Sequence, residues 1–196
     1  MSALIIVDVQ NDFCSGGALA VPEGDQIVPL INRIQPRYDL VVATQDWHPR
    51  DHGSFAANHP GRRPGEMIDL AGLPQVLWPV HCVQGTPGAE FHKALNFGRV
   101  ARVFRKGMNP QIDSYSGFFD NGHRASTGLA EYLCERGVKE VHICGLATDY
   151  CVKFTALDAV ALGLETYLLE EACRGVELHH GDVQHAIEEM RRGGVK

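Results

Sequence analysis

Four apolar, strand-like runs in this chain each end on a residue able to do chemistry. Ala3 to Val7 leads into Asp8, Leu40 to Thr44 into Asp46 and His48, and Val100 to Arg105 into Lys106. Val141 to Cys144 leads through Gly145-Leu146-Ala147-Thr148-Asp149-Tyr150 to Cys151. In an open parallel α/β sheet, ligands bind beyond the carboxyl ends of the strands. An acid, a metal-type cluster, a lysine and a thiol would therefore share one crevice.

Cys151 follows a strand and a glycine-containing turn, which places it in the first turn of a helix. There the helix terminus and its unpaired N–H groups favour thiolate over thiol. The same N–H groups suit an oxyanion formed by attack on a carbonyl. Asp8 has the chemistry to accept the thiol proton and return it to a leaving amine. Lys106 beside it would keep the aspartate ionised and lower the thiol pKa further. Taken singly, Asp8 reads as a turn former and Lys106 as a surface charge; it is their convergence with Cys151 that gives them chemical meaning. Cys134, inside a helix, and Cys144, inside a strand, read as buried, inert thiols.

Asp46-Trp47-His48, followed by His52, His59 and His81, offers carboxylate and imidazole ligands. Such a set suits zinc, iron or manganese without any thiolate. Cys82 beside His81 is not the short-spaced cysteine pair of a structural zinc site. The expectation is an open centre with few protein ligands and bound waters, built first on Asp46 and His48. His52 is left open between a ligand and a solvated loop residue.

The elements that must position these groups alternate. Residues 3–9 read as a strand covered on both faces, and Asp25 to Ile34 as a helix with Ile27, Leu30, Ile31 and Ile34 on one side. Strands follow at Leu40 to Gln45, 100–105, Glu140 to Cys144 and Glu165 to Leu169. Ser126 or Thr127 is positioned to cap a helix carrying Leu129 and Leu133 that stops near Gly137. A helix from about Tyr150 to Leu162 would turn Phe154, Leu157 and Ala161 inward, and Val183, Ile187 and Met190 mark a last helix. This order predicts a three-layer α/β/α sandwich around a mostly parallel sheet, Rossmann-like in connectivity. Residues 1–196 read as one domain, interrupted by a long loop region of about 46–98 rich in Pro, Gly and His. A loop of that length inside a compact domain is usually functional.

Composition narrows the function classes. A net charge of −6 leaves no electrostatic footprint for nucleic acid or an anionic membrane. No stretch approaches the roughly 20 apolar residues that cross a bilayer. The amino terminus lacks a secretory pattern, and six scattered cysteines do not read as a disulfide framework. A reducing cytoplasm and a small-molecule substrate fit best, with homo-oligomer formation left open.

Six segments resemble the nicotinamidases (pyrazinamidases) of the isochorismatase-like cysteine hydrolase family. They are Ile6-Val-Asp8-Val-Gln-Asn-Asp-Phe13, Thr44-Gln-Asp46-Trp-His48-Pro, Trp78-Pro-Val-His81-Cys-Val-Gln-Gly-Thr-Pro-Gly88, Arg105-Lys106-Gly, Asp113-Ser-Tyr-Ser-Gly-Phe118 and Gly145-Leu-Ala-Thr-Asp-Tyr-Cys151-Val. They fall in the family's order and spacing and cover essentially the whole chain. The resemblance implies a triad of Asp8, Lys106 and Cys151, and metal ligands Asp46, His48 and His81 with waters completing the shell. It implies a non-proline cis peptide between Leu146 and Ala147, with the Ala147 and Cys151 amides facing the oxyanion. It also implies that Phe13, Leu19, Trp78 and Tyr115 wall a pyridine ring.

The implied activity is hydrolysis of nicotinamide to nicotinate and ammonia through a cysteine thioester, in NAD salvage, with pyrazinamide accepted too. The implied cofactor is one divalent transition-metal ion (zinc, iron or manganese). Isochorismatases of the same family lack the cysteine, and amidases for carbamoyl substrates lack the metal set. A non-catalytic binding domain on the same fold would not need the triad.

Overall fold

A computed structural model describes all 196 residues. The first strand, β1 (Ser2–Val7), is central because its side chains from Ala3 to Val7 are entirely buried. An apolar run without alternation can bury both faces only between two layers. Four further parallel strands flank it in the order β5-β2-β1-β6-β7: β2 (Leu40–Asp46), β5 (Val100–Lys106), β6 (Glu140–Leu146) and β7 (Glu165–Arg174). Helices α1 (Val28–Ile34), α2 (Leu129–Glu135), α3 (Lys153–Ala161) and α4 (Asp182–Arg192) cover the sheet, completing the three-layer α/β/α sandwich. From β1 the chain steps to β2 on one side, and it returns through β6 on the other. The strand order thus reverses between β1 and β6, and the crevice of an open α/β sheet lies at that point. Asp8 and the Gly145–Cys151 turn stand there. No helix is long and apolar enough to cross a membrane.

Several local expectations need correction. The region 46–98 contains an antiparallel hairpin, β3 (Met67–Leu70) and β4 (Leu73–Val76). Its two-residue turn, Ala71-Gly72, has positive φ at both positions (52° and 85°). That twist suits a tight hairpin, but alanine carries no turn signal. The helix expected from Asp25 begins as a 3₁₀ turn at Gly24–Ile27 and becomes α-helical only at Val28.

The inner face of α3 is Thr155, Ala156 and Ala159, not Phe154, Leu157 and Ala161. Small side chains let the helix lie close to the sheet, while Phe154 stays 37% exposed and stacks on Tyr115. Cys134 is exposed rather than buried, whereas Cys144 is buried as expected. Thr127 does help start α2, its hydroxyl accepting the Leu129 N–H at 3.2 Å, with Gly128 between them as the N-terminal flanking residue. Finally, β7 runs five residues beyond Leu169, because a register shift against β6 admits extra residues before Cys173 pairs with Gly145.

Candidate active site

The site is assembled at the strand ends around one buried ammonium. Asp8 leaves β1 with φ of 48°, a left-handed conformation that turns its carboxylate back into the molecule. Lys106 is the last residue of β5, and parallel pairing sets it beside Asp46, the last residue of β2. The three N–H bonds of its Nζ go to Asp46 Oδ1 (2.6 Å), the Ser114 carbonyl (2.9 Å) and Cys151 Sγ (3.3 Å). Asp8 Oδ2 lies 2.8 Å from the same Nζ and forms an ion pair with it. Asp8 Oδ1 accepts the Thr44 hydroxyl at 2.7 Å. Acidic and thiol atoms of Asp8, Asp46 and Cys151 lie within 4.8 Å of one another. A carboxylate acceptor thus stands close to a thiol, and one ammonium contacts both.

Burial decides the protonation states, and here it overturns one expectation. Desolvation pushes the Cys151 thiol well above its ordinary pKa; Lys106 opposes this, but Asp8 and Asp46 add to it. The thiol, not the thiolate favoured by the helix start alone, is the resting form. Burial also raises Asp8, more than Lys106 lowers it. A carboxylate with a raised pKa is a stronger base, which suits removal of a proton from this thiol. Burial would discharge Lys106, but Asp46 and Asp8 outweigh it and lift its pKa well above normal. Asp46 is raised by burial as well, yet Lys106 and His48 hold it far below the carboxylate range.

Asp46 faces two ways. Its Oδ1 meets Lys106, while its Oδ2 lies 3.5 Å from His48 Nε2 and 3.9 Å from His81 Nε2. Each imidazole donates its other nitrogen to a carbonyl: His48 Nδ1 to Gly107 O and His81 Nδ1 to Pro79 O, both at 2.8 Å. That is the outer-shell arrangement by which histidine ligands of metals are oriented. Gly107 has φ of 64°, and a Cβ there would come within 2.4 Å of the His48 ring, so glycine is required. Burial and His48 push the His81 pKa down to about 4, leaving its Nε2 lone pair available. Despite burial, the Asp46 charge draws a proton to His48, and a bound cation would feel the same pull. Asp46, His48 and His81 therefore fit a mononuclear metal centre.

His52 is not a solvated loop residue. It is wholly buried, its Nδ1 lies 2.7 Å from the Ser54 hydroxyl, and its Nε2 has no partner. It forms a second potential ligand group with His48 and Asp113. His59 points elsewhere, bonding Gly53 O at 2.7 Å. Elemental analysis is expected to find about one transition-metal ion per chain, as three non-thiolate ligands make one site. Asp46→Ala or His48→Ala should empty it, with a smaller loss in His52→Ala. Full occupancy in Asp46→Ala would show the ligand set to be wrong.

Asp46, His81 and Cys151 line a small cavity together with Phe13, Leu19, Trp78, Tyr115 and Ala147. The Leu146–Ala147 peptide is cis. Asp113, Tyr150 and Val176 also line the cavity, and all three were missed in the sequence as wall residues. Asp113 and Tyr150 stand inside two of the quoted segments, so proximity to the other site residues was an available signal; Val176 had none. Tyr115 acts as a hub, its hydroxyl accepting from Trp78 Nε1 (3.1 Å) and Gln75 Nε2 (2.9 Å). Gln10 was missed too: its amide brackets the backbone of Asp46, giving Nε2–H to the carbonyl and taking the N–H, both at 2.8 Å.

Comparison with known proteins fits this geometry. Residues 2–196 match the isochorismatase domain. The chain belongs to the isochorismatase family. It is 52% identical to the nicotinamidase of Escherichia coli K12, over 98% of this chain and 92% of that protein. Among solved structures it is similar to a nicotinamidase/pyrazinamidase from Acinetobacter baumanii, with a TM-score of 0.96, 51% identity and coverage of 99% of this chain and 93% of that one. The pyrazinamidase of Pyrococcus horikoshii, solved in complex with zinc, superimposes with a TM-score of 0.81 at 43% identity, covering 100% of this chain and 97% of its own.

Proposed function

We infer that this chain is a nicotinamidase, a metal-containing cysteine amidohydrolase that converts nicotinamide and water to nicotinate and ammonia. The observation that carries this reading is the position of Lys106, whose one ammonium joins Asp8 and Cys151 to the Asp46–His48–His81 group. Nucleophile chemistry and a ring-binding centre thereby become a single site. Pyrazinamidase activity follows from the same cavity, and the relatives that carry this name support it. The product belongs to NAD salvage. The absence of a membrane-crossing helix agrees with a cytoplasmic enzyme acting on a small molecule. The whole chain acts as one hydrolase domain, with residues 46–98 supplying two of the metal ligands beyond β2.

In this reading Asp8 Oδ2 takes the Cys151 proton and the sulfur attacks the carboxamide carbon. Lys106 stabilises the anionic partners during transfer. The tetrahedral oxyanion rests on the Ala147 and Cys151 amides. Asp8 returns the proton to the departing ammonia, and the nicotinoyl thioester is then cleaved by water that Asp8 deprotonates. Phe13, Leu19, Trp78 and Tyr115 hold the ring between apolar faces and keep bulk water out. A divalent transition-metal ion on Asp46, His48 and His81 supplies, when bound, a Lewis acid for the ring nitrogen, and so orients the amide.

The deciding assay is ammonia release from nicotinamide by the purified protein, before and after chelation. No release in the metal-loaded protein would end this reading. Benzamide has the same amide and shape without the ring nitrogen, and should lose roughly 10²–10³ in kcat/KM. A water can take the vacated ligand position, which keeps the loss below the ~10⁴ reached where a polar group is left unpaired. Pyrazinamide retains the nitrogen and should stay within about tenfold, or ~1.4 kcal/mol. Equal kcat/KM for benzamide and nicotinamide would mean that the ring nitrogen is not read.

A further inference from the structure

Asp149, two residues before the nucleophile, has no part in the chemistry above, yet it is a nearly buried carboxylate at the site. Its two oxygens are both spent on one neighbouring loop. Oδ1 accepts the Val176 N–H at 2.9 Å, and Oδ2 accepts the Glu177 N–H at 2.7 Å. That loop leaves β7 at Arg174, which still pairs with Leu146, and then crosses the turn that carries Cys151. Glu177 is held at φ of 53°, a left-handed conformation in which its N–H can turn toward Asp149. Gly175 admits no side chain, because a Cβ there would lie 2.1 Å from Val183 Cγ2 and 3.1 Å from Asp149 Oδ1. The loop is pressed between α4 and the carboxylate. The result is that Val176, a partly buried apolar residue packed against the core, lines the cavity together with Cys151 and Tyr150.

We propose that Val176, clamped by Asp149, is a specificity-determining residue that limits which ring substituents the site accepts. The proposal rests on the nicotinamidase reading and adds a size limit to it. The reasoning is steric and local. Cys151 and the metal-type ligands fix two points of the substrate, the carboxamide carbon and the ring nitrogen. A ring pinned at two points cannot slide away from a wall, so a substituent aimed at Val176 must displace it or be excluded. Because two charge-assisted hydrogen bonds hold the loop, it does not yield readily. Asp149 is thus a positioning residue, and Val176 is the group that meets the substrate.

The experiment measures kcat/KM for nicotinamide and its four ring-methylated forms with the metal-loaded enzyme. Removal of the two valine methyls should make room for one added methyl, a change worth about tenfold or more in a tight apolar pocket. Val176→Ala is expected to raise the ratio of at least one methylnicotinamide to nicotinamide by that factor. Asp149→Asn keeps the shape but offers only one acceptor oxygen to two N–H groups. It should raise the same ratio for the same isomer, with a higher KM for nicotinamide and a smaller change in kcat. General destabilisation would lower all substrates alike and leave the ratio where it was.

An unchanged ratio across the panel in Val176→Ala would overturn the proposal. An unchanged ratio in Asp149→Asn alone would remove the clamp. Parent enzyme that does not release ammonia from nicotinamide would instead strike the underlying functional reading, so the two failures are distinguishable.

Discussion

Cys151→Ala is expected to lose at least about 10⁴-fold in kcat while still binding nicotinamide. Its sulfur is the only thiol lining the cavity, and it accepts a hydrogen bond from Lys106 at 3.3 Å. No other group there can form the acyl intermediate, so the loss falls on turnover and not on binding, which the walls and the metal-type ligands provide. Intact-protein mass spectrometry after a rapid quench should detect a nicotinoyl adduct on the parent and none on the variant. Asp8→Asn should fall with it, because an amide in place of Oδ2 can neither take the thiol proton nor return it. Turnover of Cys151→Ala near the parent level would sink covalent catalysis. Because burial keeps the resting thiol protonated, the thiolate should be absent from the free enzyme near neutrality.

Lys106→Met should be damaged in both stability and activity. The Lys106 side chain is wholly buried and compensates two buried carboxylates, at 2.8 Å from Asp8 and 2.6 Å from Asp46. Without it the two acids face each other with no cation between them. Removing one partner of a buried ionic group costs about 3–5 kcal/mol, since the charge left behind stays desolvated. For a domain of this size each kcal/mol moves Tm by roughly 2–4 °C, so a fall of about 6–20 °C is expected in thermal unfolding of the metal-free protein. Turnover should also drop sharply, as nothing then holds Asp8 and Asp46 ionised together. A parent-like Tm would mean that the acids take up protons or water at little cost. The central role given to the ammonium would then be wrong.

Much of the site was legible in the chain because parallel strands convert sequence position into spatial position. A strand end is a strand end wherever the strand lies in the sheet, so Asp8, Asp46, Lys106 and the turn to Cys151 could be placed together before any packing was known. The order of the elements carried the layer architecture for the same reason. The resemblance to the family, and not spacing, added His81 as a ligand and Phe13, Leu19, Trp78 and Tyr115 as walls. Less visible was everything that depends on which loops meet. Gln10 and Asp149 sit inside recognisable segments, but their work is to hold the backbone of Asp46 and of the Val176 loop, and nothing in a linear pattern names a partner 36 or 27 residues away. The inner face of α3 was misread for a related reason. Helical spacing suggests Phe154, Leu157 and Ala161, whereas close packing on the sheet selects Thr155, Ala156 and Ala159.

Protonation shows the division most clearly. The identities of the acid, base, nucleophile and ligands belong to the sequence, since each needs a particular functional group and the strand ends deliver them to one crevice. Their charge states belong to the tertiary structure. A helix start and a nearby lysine argue for a thiolate, but burial reverses that balance, raises the base and leaves a protonated thiol close to the Asp8 carboxylate. Desolvation is set by every atom packed around the site, and no local run of residues encodes it.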